Sequence, residues 1–244
     1  MAADILVLLV AGVFVIALLY SSVGHAGASG YIAVMSLLGL APAEIKPIAL
    51  ALNILVASIG SWQFWRAGHF SWSLFWPFAL LSVPFAFLGG YLNLPTRIFK
   101  VIVGSVLLVS AAQFLIRPPA EGESQPPARP VAMGVGAGLG LLSGLTGTGG
   151  GIFLTPLLIF LHWARTKTAS ATSALFILLN SIAGLAGNVS ATQTFPRFGI
   201  SLLVAAGIGG AIGAHAGSRR LAPLVIKRLL AVVLIIAGLK LVFT

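Results

Sequence analysis

Two stretches of small and hydroxyl-bearing residues interrupt an otherwise apolar chain: S-S-V-G-H-A-G-A-S-G-Y, Ser21 to Tyr31, and S-G-L-T-G-T-G-G-G-I-F, Ser143 to Phe153. Gly24, Gly27 and Gly30 in the first, and Gly147, Gly149, Gly150 and Gly151 in the second, allow the backbone to turn where side chains would collide. Each stretch leads into a short apolar run that reads as a helix. The first N–H groups of such a helix have no intrahelical partner, and its end carries about half a positive charge. Ser29, Thr146 and Thr148 add hydroxyl donors there, and His25 adds a ring that can donate a hydrogen bond or accept a proton near neutral pH. This is chemistry for holding an anion.

The acidic residues point the same way. There are four, Asp4, Glu44, Glu121 and Glu123, and none falls in the middle of an apolar run. A cation carrier usually places a carboxylate there, so a metal or organic cation is a poor match. The chain has no cysteine, which removes disulfides and thiolate metal sites; nothing in the sequence calls for a metal or a cofactor. Lys46 and Lys167 begin corresponding long segments and are expected to ring the two ends of an anion path, with snorkelling at the membrane surface as the plainer alternative. Asn53, with Asn180, Asn188, Ser58, Ser170 and Thr172, falls inside long segments, where it can line a cavity or join helices. A competing reading takes Ser29, in G-A-S-G, as a nucleophile and His215 as its base, as in an intramembrane serine protease of the rhomboid type. The two residues are far apart in sequence, and a four-residue motif in a glycine-rich chain is weak.

The elements that must carry these residues follow from composition. Of 244 residues, 59% are hydrophobic and 7% charged, against about a quarter charged in a soluble domain, so the chain reads as an all-α polytopic membrane protein with the lipid bilayer as its main partner. The formal charge of +10 lies mostly in short connections. Lys and Arg there set orientation in the membrane and do not call for nucleic acid. Apolar surface facing lipid and apolar surface facing another subunit look alike, so composition sets no oligomeric state. The N-terminal apolar run reads as a first membrane segment, not as a cleaved signal peptide, because it has Asp4 and no basic region before it.

Punctuation divides the chain into segments at about 5–23, 30–40, 46–66, 72–92 and 97–116, then about 131–145, 151–162, 167–190, 197–215 and 221–243. The hydrophilic linker R-P-P-A-E-G-E-S-Q-P-P-A-R-P, 117–130, separates a first membrane repeat, 1–116, from a second, 131–244. The same offset relates Gly30 to Gly151 (151 − 30 = 121) and Lys46 to Lys167 (167 − 46 = 121). It lengthens after a small insertion near Ala214 to Leu221. Gly89 and Gly90 answer Gly209 and Gly210, and these four read as helix-packing residues. Five segments per half reverse the second half, giving an inverted repeat; a break that only kinks one pass would leave the repeats parallel. Counted that way, one side of the membrane holds nine basic residues and the other four, which puts both termini outside the cytoplasm. Paired interruptions in related halves are the best sequence pointer to a transporter's binding site.

The second break, S-G-L-T-G-T-G-G-G-I-F-L-T-P-L-L, with the following K-T-A-S-A-T-S, resembles the TauE/SafE family of sulfite exporters, the four-toluene-sulfonate-uptake type. The first break and I-K-P-I-A-L-A-L-N form a weaker copy, with His25 where the second has Thr146. The resemblance implies a bacterial inner-membrane secondary transporter, not an enzyme, that moves sulfite or a related sulfur-containing anion, often outward. A passive anion channel would share the site and lack the coupled cycle.

Overall fold

The computed structural model describes residues 3–92, 124–193 and 200–220, with scattered helical positions between 98 and 116 and between 228 and 239. It is all-helical among these residues. The helices are α1 (Ala3–Ser21), α2 (Ala28–Leu37), α3 (Pro42–Arg66), α4 (Trp72–Tyr91), α5 (Arg129–Thr146), α6 (Gly151–Phe160), α7 (Thr166–Thr192) and α8 (Ile200–Arg219). The expected fifth segment of each half, 97–116 and 221–243, is described only at those scattered positions, of which Ala111 and Ala231 are buried in the main core. Residues 117–123 of the linker lie outside the described residues, and α5 already begins at Arg129, with Pro130 in its first turn, where a missing N–H costs nothing.

Among the described residues five helices, α1, α3, α4, α7 and α8, are long and apolar enough to cross a membrane. The protein is therefore an integral membrane protein of several passes. The ten-residue helices α2 and α6 are apolar, but ten residues rise only about 15 Å, half of a bilayer core. Each of them follows one of the two breaks.

Neighbouring helices come largely from different halves of the chain. α1 packs on α8, and α4 packs on α5. Both seams run in parallel and are lined by glycines four residues apart. Gly209, Gly213 and Gly217 of α8 lie against the backbone of Phe14, Leu18 and Ser22; Gly136, Gly140 and Gly144 of α5 lie against that of Phe78, Ser82 and Ala86. A Cβ at any of these six would come within 3 Å of a carbonyl on the facing helix. The glycines therefore set the close approach that van der Waals packing between membrane helices requires. Gly89, Gly90, Gly209 and Gly210 also sit at helix contacts, as expected of packing residues.

The two longest helices, α3 and α7, cross at the centre and run antiparallel. Leu50 lies by Gly184, Asn53 bonds Ser181, and Gly60 lies by Ala174. Exchanging α1–α4 for α5–α8 maps every principal helix contact onto another, except α1 with α2. The two short helices start at Ala28 and Gly151 (151 − 28 = 123). The register is set by backbone geometry: Gly27 and Gly150, each with φ in the left-handed region, stand immediately before the two short helices.

Candidate functional site

Each break is held by the long helix of the opposite half. In the first, α1 closes with turn bonds from the amides of Val23, Gly24 and His25, and Ser170 Oγ of α7 donates to the Val23 carbonyl at 2.9 Å. Gly24 packs directly on the Ser170 backbone. In the second, Gly147 closes α5 with a 2.8 Å bond to the Ser143 carbonyl and packs on Lys46 of α3. Gly149 then lies against Asn53 of α3 and Ile177 and Ser181 of α7. Ser170 and Lys46 are each near the start of their helices, and those helices are antiparallel. The two breaks therefore lie toward opposite ends of the bundle, and α2 and α6 run from buried starts to more exposed ends.

All residues from Ser21 to Ala33 and from Thr146 to Ile152 are buried. Neither α2 nor α6 has a side-chain cap at its N-terminus, and the residue before each is a glycine, with a backbone carbonyl but no side chain to offer. The leading N–H groups of both helices thus face inward with their partial positive charge uncompensated by any cap.

The side chains singled out by sequence fall into three groups. His25 and the second half meet directly: His25 Nε2 and Thr155 Oγ1 of α6 share a 2.8 Å buried hydrogen bond, across 130 residues of chain. Thr155 was not among the expected site residues. Its only sequence signal is that it is the one hydroxyl in an otherwise apolar ten-residue helix. We expect Thr155→Val, which keeps the shape and removes the hydroxyl, to delete this buried hydrogen bond and destabilise the purified protein by about 0.5–1.5 kcal/mol. A thermal melt unchanged from the unaltered protein would rule this out.

The hydroxyls near the breaks are largely engaged locally. Ser29 Oγ donates to Tyr20 Oη at 3.0 Å. Thr146 Oγ1 donates to the Leu142 carbonyl at 2.7 Å and lies 2.9 Å from Thr148 Oγ1. Tyr20 was missed because a tyrosine at a membrane helix end reads as an interface anchor, whereas here it is fully inside. The Ser29 and His215 pairing is not formed. The serine is buried on Tyr20, and His215 is exposed on α8. A nucleophile without a base in reach is not activated, so the hydrolase reading fails on geometry.

The two lysines share a different arrangement. Lys46 is buried, and its ammonium donates to the carbonyls of Gly89, Gly90 and Leu92 at 3.2, 3.0 and 3.1 Å, the free acceptors at the end of α4. Lys167 is exposed and makes one 3.5 Å contact with the Ser218 carbonyl near the end of α8. Both positions place a cation on the negative end of a helix dipole within their own half. Outside the spans, in the α3–α4 turn, partial burial and then the Lys167 charge hold the His69 imidazole below its ordinary pKa.

A family model for the TauE/SafE sulfite exporters matches residues 8–241, almost the whole chain. The chain belongs to this family. It is 43% identical over 235 residues to the probable membrane transporter protein y4hK of Sinorhizobium fredii, covering 94% of this chain and 95% of that one. It is also 31% identical over 105 residues to the probable membrane transporter protein YunE of Bacillus subtilis, covering 43% of this chain and 38% of that one. No solved structure matches it. This TauE/SafE protein is a membrane transporter and not an enzyme. Among its described residues no cluster of His, Cys, Asp or Glu could hold a metal.

Proposed function

We propose that this TauE/SafE protein carries a small sulfur-containing oxyanion, sulfite or a sulfonate, outward across a bacterial inner membrane. The observation that carries the reading is the pair of buried, uncapped N-termini of α2 and α6. Two such ends supply N–H donors and positive potential with no resident carboxylate to neutralise them. His25, Gly27, Ser29 and Gly30 border the first end; Thr146, Thr148, Gly149, Gly150 and Gly151 border the second, with Asn53 beside Gly149. Lys46 and Lys167 contribute positive potential from either end of the bundle. The antiparallel α3–α7 pair and the exchange of helix contacts between 1–116 and 131–244 favour an inverted repeat, with both termini outside. In such a repeat, alternating access arises when one bundle moves against another around a fixed central site.

The test is uptake of labelled sulfite into proteoliposomes, with and without an imposed pH gradient. Gradient-driven accumulation is expected. Flux no greater than in empty vesicles would end the oxyanion reading. Flux that equilibrates but never accumulates would replace the carrier by a passive channel.

A further inference from the structure

Buried polar groups without a partner among the described residues occur at both breaks, Ser21 Oγ and Tyr31 Oη at the first among them, and more of them gather around the second. Asn180 lies on α7 with no exposed surface, and neither its Oδ1 nor its Nδ2 finds a partner among the described residues. It sits one turn beyond Ile177 and next to Ser181, and both of those touch Gly149 of the second break. Two turns earlier on the same stripe is Ser173, equally buried and equally without a partner for its hydroxyl. Ser143 Oγ, at the end of α5 and packed under Gly150, is a third such group. Asn53 completes the ring: its Nδ2 donates to Ser181 Oγ at 3.3 Å, and its Oδ1 is unbonded.

The large majority of buried side-chain polar atoms are bonded, so a carboxamide with both ends free is an exception, and a bound ligand is one thing that accounts for it. Four neighbouring residues sharing the defect, all around one uncapped helix end, place that ligand at the second break. An amide is also informative about what it meets. Its NH2 donates and its C=O accepts, whichever way it is flipped. A sulfonate or fully ionised sulfite has acceptor oxygens only and would leave the C=O of Asn180 unsatisfied. An anion with its own O–H, such as hydrogen sulfite or a hydroxyalkyl sulfonate, satisfies both.

We propose that Asn180 is the specificity-determining contact of the transported anion, and that it selects oxyanions carrying a hydrogen-bond donor beside their anionic oxygens. The proposal rests on the oxyanion-carrier reading above. The test compares Asn180→Leu with the unaltered protein in three measurements. The first is KM for sulfite in proteoliposomes. The second is competition of sulfite flux by hydroxymethanesulfonate and by ethanesulfonate, which have nearly the same shape and differ in an O–H against a methyl. The third is the thermal melt of the ligand-free purified protein.

In the unaltered protein hydroxymethanesulfonate should compete about tenfold better than ethanesulfonate, the usual value of one satisfied buried hydrogen bond. In Asn180→Leu that preference should vanish and KM should rise about tenfold or more. The melt should stay level or rise, because an apolar residue replaces an unbonded amide. A lowered melt with KM and competition unchanged would make Asn180 a structural residue and overturn the proposal. Equal competition by the two sulfonates in the unaltered protein would overturn the donor requirement. Absence of any oxyanion flux in the unaltered protein would overturn the carrier reading and this proposal with it, an outcome distinct from the first two.

Discussion

Gly149→Val should abolish transport and destabilise the folded protein by about 2–5 kcal/mol. Two independent effects add at this position. The backbone has φ +77°, a conformation that costs an L-residue about 1–2 kcal/mol and a β-branched one more. There is also no room: a Cβ would come within 2.7 Å of Asn53 Nδ2 and of Ile177 Cγ2, and within 3.0 Å of Ser181 Oγ. Overpacking of this kind costs about 1–3 kcal/mol. The displaced groups are those that frame the second break, so function fails even where folding survives. Gly138→Val on α5 is the control, because a Cβ there meets nothing within 4 Å. Flux in proteoliposomes and thermal unfolding in detergent decide the matter. A Gly149→Val protein with the parental melt and KM would refute the account of this break.

Lys46→Leu should destabilise the protein by about 2–4 kcal/mol, while Lys167→Leu should cost less than about 1 kcal/mol. Sequence makes the two lysines look equivalent. Structure separates them, because the Lys46 ammonium satisfies two buried carbonyls and a part-buried third, and Lys167 reaches one from an exposed position. Removing the first leaves two buried acceptors without this donor, and each costs about 1–3 kcal/mol, offset in part by no longer burying a charge. Removing the second returns one carbonyl to water. Lys46 also packs on Gly147, so its loss should raise KM as well as lower the melt. Equal effects from the two substitutions would show that burial is not what distinguishes them.

Much of the architecture could be read directly because hydropathy, glycine and proline carry the signal in a membrane chain. The starts and ends of α3, α4, α6 and α7 fall within about four residues of the segments expected from apolar runs, and the breaks fall where the glycines are. Two things were not legible. One was the local geometry of the breaks: Gly27 and Gly150, not singled out from their neighbouring glycines by sequence, take the left-handed conformation immediately before the short helices. The other was the partner of each polar side chain. His25 was visible as an ionisable group in a break, but its bond to Thr155 depends on the packing of two half-helices 130 residues apart in the chain. Tyr20 and Ser181 were hidden for the same reason. A lone hydroxyl in an apolar helix has no periodicity to betray which way it faces.

The crossed partnership of the glycine seams has a consequence for how this protein is made. α1 precedes α8, which carries the rail it fits, by the whole run of helices α2–α7. Throughout synthesis α1 must wait in the bilayer with its backbone groove filled by lipid. The α4 seam closes sooner, as soon as α5 emerges. The α4–α5 seam can therefore close before the α1–α8 seam, and a chain truncated before α8 leaves α1 with only its smaller contacts to α2 and α3.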